Sequence, residues 1–155
     1  MKLLNGTYYC KMDANGRIML PVELRKQLSE LQMNNFILKR AVFENHLEMY
    51  PDDEWTKLMK KINKLNPFVR KNVVFKTRFL AGVRNVNIDS TGRMQVPKDL
   101  VVVAGLKKEI VIASHLSILQ IWNKDEYEAF LERTAIDFSE LSEDVMGEID
   151  FGDDE

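Results

Sequence analysis

The spacing of apolar and polar positions changes period several times along the chain. Thr7-Tyr8-Tyr9-Cys10-Lys11-Met12 is rich in β-favouring residues and predicts an extended run, which ends where Asn15-Gly16 turns the chain. Ile18 to Leu20 resumes as a short strand. Pro21 suits the first position of a helix through Leu28, because its ring presets φ and it lacks an N–H that would go unbonded there. Two further strands follow, at Phe36-Ile37-Leu38 and at His46 to Tyr50. The period then lengthens to that of a helix. Trp55, Leu58, Met59, Ile62 and Leu65 fall on one face, and Asp52, Asp53 and Glu54 place negative charge in the first turn, where it complements the helix dipole. Asn66-Pro67 is expected to cap a second helix through about Leu80, and Asn123 to open a third carrying Tyr127, Phe130 and Leu131.

Sliding the sequence along itself exposes a repeat. Asp13-Ala14-Asn15-Gly16-Arg17-Ile18-Met19-Leu20-Pro21 aligns with Asp89-Ser90-Thr91-Gly92-Arg93-Met94-Gln95-Val96-Pro97, sharing Asp, Gly, Arg and Pro in order. Downstream, Phe36-Ile37-Leu38 answers Ile110-Val111-Ile112, and His46 to Tyr50 answers Ile118 to Trp122. The expected organisation is therefore an α+β chain of two tandem units, residues 7–54 and 83–126. Basic helices at 55–82 connect them, and a helix end at 127–136 follows. Gly105 is the natural stop of the second unit's helix. Residues 137–155 have too few apolar positions for a core and are expected to form a disordered acidic tail.

Charge changes the picture. The net charge of −2 hides an asymmetry, since residues 137–155 hold nine acidic side chains and no Lys or Arg. Residues 1–136 carry 22 basic and 15 acidic side chains, and no Asp or Glu occurs between Trp55 and Ile88. A positive field of that kind attracts polyanions, although solvated helix faces would look the same. The longest apolar stretches, such as Leu100 to Ala104, are far short of the roughly 20 residues a membrane helix needs. A lone Cys10 and an N-terminus without a secretory pattern lead to the expectation of a soluble, cytoplasmic protein.

The repeated turn is the candidate chemistry. Its Asp can accept backbone N–H bonds two residues on, its Gly can take positive φ, and its Arg follows the Asp by four residues. A carboxylate at that distance can hold the guanidinium through paired charge-assisted bonds, and a held fork matches a phosphate or the O6 and N7 acceptors of guanine. The same pair could serve merely to staple each turn, a role worth about 0–1 kcal/mol at a surface. On physical grounds the two readings stay balanced.

The two Asp-x-x-x-Arg turns, Leu20-Pro21, Leu47 to Trp55, Leu65-Asn66-Pro67-Phe68 and Ile121-Trp122 together resemble the MraZ family over about residues 6–131. That resemblance implies two SpoVT-AbrB-type units whose swapped β-hairpins pair into a pseudo-symmetric barrel. It also implies a DNA-binding transcription regulator that forms ring-shaped homo-oligomers. Such a regulator would bind short tandem repeats in double-stranded DNA ahead of the division and cell-wall gene cluster, which places it at the nucleoid. Asp13, Arg17, Asp89 and Arg93 match the family's DNA-binding motif, and Lys11 and Arg84 are candidate supporting phosphate contacts. Asn15 stands where the family usually has Lys, Ala41 where Gly is usual, and Val83 where Ala is common. The first departure removes one phosphate contact from the turn.

Other constellations are set aside. His46 and His115 have no Cys or carboxylate at metal-ligand spacing, and each is expected to be a satisfied or surface histidine. Neither a Gly-x-Ser-x-Gly nor a Walker pattern occurs, so no enzyme activity, cofactor, metal or small-molecule substrate is expected. Trp55, Trp122, Tyr50 and Phe79 are expected to pack in the core. The competing function is a protein-interaction module, since hairpin units of this class also occur in antitoxins.

Overall fold

The turn-and-proline pattern of the repeat sets the order of elements in the computed structural model, which describes residues 2–149 and 152. The first repeat forms β1 (Thr7–Lys11), β2 (Arg17–Met19), α1 (Val22–Glu30), β3 (Asn35–Arg40) and β4 (Leu47–Pro51). Two helices follow, α2 (Asp52–Ile62) and α3 (Arg70–Phe79). The second repeat forms β5 (Arg84–Asn87), β6 (Arg93–Gln95), α4 (Lys98–Val103), β7 (Glu109–His115) and β8 (Ile118–Asn123). The chain ends in α5 (Lys124–Ala135) and α6 (Phe138–Met146). It divides into two compact units, residues 1–124 and 125–155, and both repeats lie in the first.

Strand pairing crosses between the repeats. Six strands make one antiparallel sheet in the order β1-β7-β8-β4-β3-β5, so that β1 of the first repeat pairs with β7 of the second and β5 of the second pairs with β3 of the first. The remaining strands, β2 and β6, pair with each other in a separate two-stranded ribbon. The expected barrel is not closed as one continuous ladder. Among the described residues only the single bridges Met12–Ile18 and Ile88–Met94 join ribbon to sheet, because each hairpin turns within three residues and leaves little strand to pair.

One core serves both repeats. Ile18 and Met94 on the inner face of the ribbon, Leu24 and Leu28 on α1, Leu100 on α4, and Leu38, Met49, Ile112 and Ile121 on the sheet are all buried in a single cluster. Each such side chain contributes roughly 1.5–3 kcal/mol relative to exposure, which ties the two repeats into one cooperative body. Pro21 and Pro97 sit one residue earlier than expected. Each is the N-cap of its helix, with ψ of 145° and 143°, because the chain is still extended there as it leaves the ribbon. The end of α1 places Gln32 at φ +57°, where the second repeat uses Gly105 at φ +61°.

Three other expectations change. Asn66 does not cap a helix: its Oδ1 accepts the N–H of Phe68 at 2.9 Å, closing a side-chain turn that delays α3 to Arg70. Part of the tail expected to be disordered is the helix α6, in which Phe138, Leu141 and Val145 recur at helical spacing on one face. Residues 150, 151 and 153–155 of that tail lie outside the described residues. His46 is neither satisfied nor at the surface. It is buried, stacks on Trp122 at 4.0 Å and 13°, and neither ring nitrogen has a hydrogen-bond partner among the described residues. Burial, with His115 and Lys39 nearby, pushes its pKa down to about 4, so the ring is neutral.

The aromatic residues of α2 and α3 build a smaller cluster. Trp55 meets Tyr50 edge-on at 5.2 Å and stacks on Phe79 at 6.3 Å, while the buried Lys39 ammonium lies 4.1 Å above the Phe79 ring. Lys39 also bonds the Arg40 carbonyl and pairs with Glu48 at 3.5 Å. Among the described residues, no helix is long and apolar enough to cross a membrane.

Candidate nucleic-acid interface

Each Asp-x-x-Gly-Arg segment closes a hairpin with a three-residue loop. The Gly16 N–H donates to the Asp13 carbonyl at 3.0 Å and the Asp13 N–H to the Arg17 carbonyl at 2.9 Å; the second turn repeats both bonds at Asp89, Gly92 and Arg93. Gly16 at φ +82° and Gly92 at φ +85° occupy the left-handed position such a loop requires. The Asp side chain completes the turn from outside. Oδ1 of Asp13 accepts the N–H groups of Asn15 and Arg17, both at 2.9 Å, and Oδ1 of Asp89 accepts those of Thr91 and Arg93 at 2.9 and 3.0 Å.

Beyond the backbone the turns differ. Arg17 Nε donates to Asp13 Oδ2 at 3.0 Å, a single bond rather than the expected pair, because Oδ1 is committed to backbone. Nη1 and Nη2 of Arg17 are left without a partner among the described residues. In the second turn the Thr91 hydroxyl donates to Asp89 Oδ1 at 2.7 Å, and the Arg93 guanidinium makes no hydrogen bond or ion pair among the described residues. These contacts hold both carboxyls below the usual range. For Asp13 the backbone N–H of Arg17 is the chief cause, and for Asp89 the Thr91 hydroxyl.

The ribbon brings the two turns together. In β2 and β6 the middle residues Ile18 and Met94 point into the core, so Arg17, Met19, Arg93 and Gln95 share the exposed face. Arg17 lies opposite Gln95 and Met19 opposite Arg93, which puts the two arginines on a diagonal of roughly 7–8 Å between Cα atoms. Gln95 also pins the first turn, its Nε2 donating to the Asn15 carbonyl at 2.6 Å. The matching position facing the second turn is Met19, which has no donor to offer.

Asp13, Arg17, Asp89 and Arg93 are thus brought onto the ribbon and its turns. Lys11 ends β1 two residues before Asp13, on the hairpin of the first turn, and Arg84 begins β5, five residues before Asp89. Arg84 is engaged with Asp99 at 2.8 Å. Two residues that sequence reasoning missed belong beside the turns: Gln95, and Arg25 of α1, whose side chain lies against Gly92. Gln95 stands two residues after Arg93, so strand alternation alone placed it on the same face. Nothing in the local sequence ties Arg25 to a turn 67 positions away.

A family model described as "MraZ protein, putative antitoxin-like" matches residues 3–73 and 79–148. The chain belongs to the MraZ family. The transcriptional regulator MraZ of Christiangramia forsetii is 53% identical over 148 residues, covering 96% of each chain. That of Flavobacterium psychrophilum is 50% identical over 149 residues, covering 96% of this chain and 95% of its own. The MraZ protein of Cytophaga hutchinsonii is 34% identical over 146 residues. The first matched segment covers the first repeat, α2 and the start of α3, and the second covers the second repeat with α5 and α6.

Proposed function

We propose that the protein is a sequence-specific regulator of transcription that inserts its β2–β6 ribbon into the major groove of duplex DNA. One observation carries this: Arg17 and Arg93 project from the same exposed face of a two-stranded antiparallel ribbon. The major groove, about 12 Å wide, admits such a ribbon. Arg17, oriented through Nε by Asp13, offers two terminal nitrogens to guanine O6 and N7, while Arg93 approaches the adjacent step. Asp13 and Asp89 shape the turns and Asp13 also orients Arg17; the arginines contact. Lys11 and Arg84 act on flanking phosphates, Arg84 after leaving Asp99. The names of the MraZ relatives agree with this role.

The crossing of β1 to β7 and β5 to β3 is read as an exchange of hairpins between two SpoVT-AbrB-like units, residues 7–54 and 83–126, about a pseudo-twofold axis through the ribbon. Exposed Phe43, Phe68 and Phe75 support self-association, and a ring of copies would read short tandem repeats by multivalency. By family resemblance, the target is the promoter region of the division and cell-wall genes, which sets the protein on the nucleoid in the cytoplasm. The family's antitoxin-like description favours a second reading, capture of a protein partner by the same hairpins. Selection from a random duplex pool separates them. The DNA reading expects enrichment of a short guanine-containing sequence, lost in folded Arg17→Ala; a pool without enrichment contradicts it.

A further inference from the structure

We infer that Arg25 and the second turn form a binding site for a backbone phosphodiester, one that the first turn lacks. The inference rests on the DNA-binding reading. Arg25 belongs to the first repeat, yet its side chain crosses to the second turn, where a methyl group added to Gly92 would lie 2.5 Å from its Cδ and Nη1. Only glycine leaves room for this approach. Arg25 Nε donates to the Leu20 carbonyl at 3.0 Å, which fixes the guanidinium plane, while Nη1 and Nη2 have no hydrogen-bond partner among the described residues. A tethered guanidinium with two free terminal donors matches the paired oxygens of a phosphate and loses little entropy on binding.

The surroundings suit the same ligand. A cleft of about 540 Å³ beside the turn is lined by Arg25, Ser29, Gln32, Asn34 and Ser90, with Asp89 its only acidic residue. Oδ1 of Asp89 is occupied by three donors of its own turn. Arg25 and Arg93 outnumber Asp89 around this cleft, and neither guanidinium is paired with it, whereas Arg17 in the first turn is paired with Asp13. At the position equivalent to Arg25 the second repeat has Val101, whose Cγ2 lies beside Gly16. A phosphodiester carries one negative charge and no base information. Arg25 therefore adds affinity and salt dependence without sequence preference.

The test uses the full chain and a duplex recovered from the random pool by the wild-type protein. Arg25→Gln keeps an N–H for the Leu20 carbonyl and removes the charge. The slope of log K against log salt should become shallower by about 0.9 per bound protomer, with base preference unchanged. Val101→Arg should steepen it by a similar amount. A folded Arg25→Gln protein with wild-type slope and affinity overturns the inference and leaves the DNA reading intact, whereas a wild-type protein that recovers no duplex overturns both. Should Arg25→Gln not fold, wild-type binding to duplexes carrying single neutral methylphosphonates decides. One sensitive phosphate on the second-turn side without a symmetry mate is expected; a symmetric pattern overturns the inference.

Discussion

The two turns share a backbone and differ in what surrounds it. The first is held: Asp13 grips Arg17, and Gln95 from the other repeat fastens the Asn15 carbonyl. The second is loose at the same points: Thr91 adds its hydroxyl to Asp89 Oδ1, the Arg93 guanidinium makes no hydrogen bond among the described residues, and Met19 stands where Gln95 would be, but the turn gains Arg25 beside Gly92. Duplication therefore preserved the hairpin and let the chemistry diverge. A preoriented arginine loses less entropy on contact and reads a base more strongly than a loosely held one.

The comparison depends on a common base under both turns, and the largest expected effect tests that base. Ile18→Ala removes a fully buried side chain at the centre of the ribbon and should destabilise the protein by about 2–5 kcal/mol in denaturant melts. Because Ile18 pairs with Met94, both turns should lose hydrogen-exchange protection together; protection retained at the second turn alone would show that the turns are independent.

Acid provides a second perturbation of the shared core. Between pH 6.5 and 4 the unfolded chain binds a proton at His46 that the folded chain refuses, so stability should fall as pH drops through that window, by about 3 kcal/mol when complete. His46→Phe keeps the stack on Trp122 and should remove this part of the pH dependence. A variant with an unchanged pH profile would place the proton elsewhere.

The smallest change addresses the difference itself. Thr91→Asn gives the second turn the residue of the first and removes the third donor from Asp89 Oδ1, leaving that oxygen with the same two backbone N–H groups as Asp13 Oδ1. The Arg93 Nε resonance should then shift toward that of Arg17, with a stability change below about 1 kcal/mol. An unmoved resonance would assign the looseness of Arg93 to Met19 rather than to Thr91.

Much of this architecture was legible in the sequence because it is local. The Asp, Gly, Arg and Pro of each turn act within nine residues, and the strands at Phe36-Leu38 and Ile110-Ile112 announce themselves by composition. Partner choice is not local. That β2 pairs with β6, which sets Arg17 and Arg93 on one face, is decided by burial of Ile18 against Met94 across 76 positions. Arg25 and Gln95 escaped for the same reason, and the repeat alignment worked against them, since it pairs Arg25 with Val101 and Gln95 with Met19. The helix α6 was readable from the spacing of Phe138, Leu141 and Val145, but the density of acidic residues pointed the other way. His46 lies opposite Ile118 in the alignment, an apolar environment that its own chemistry disguises.

Whether Arg17 reads guanine from the ribbon face is decided by a double-mutant cycle between Arg17→Ala and replacement of guanines in the recovered duplex by 7-deazaguanine, which lacks the N7 acceptor, with Arg93→Ala as the comparison. A coupling of about 1–3 kcal/mol is expected for Arg17 at one guanine and a smaller one for Arg93. Zero coupling for Arg17 at every guanine, in a variant that remains folded, would contradict it.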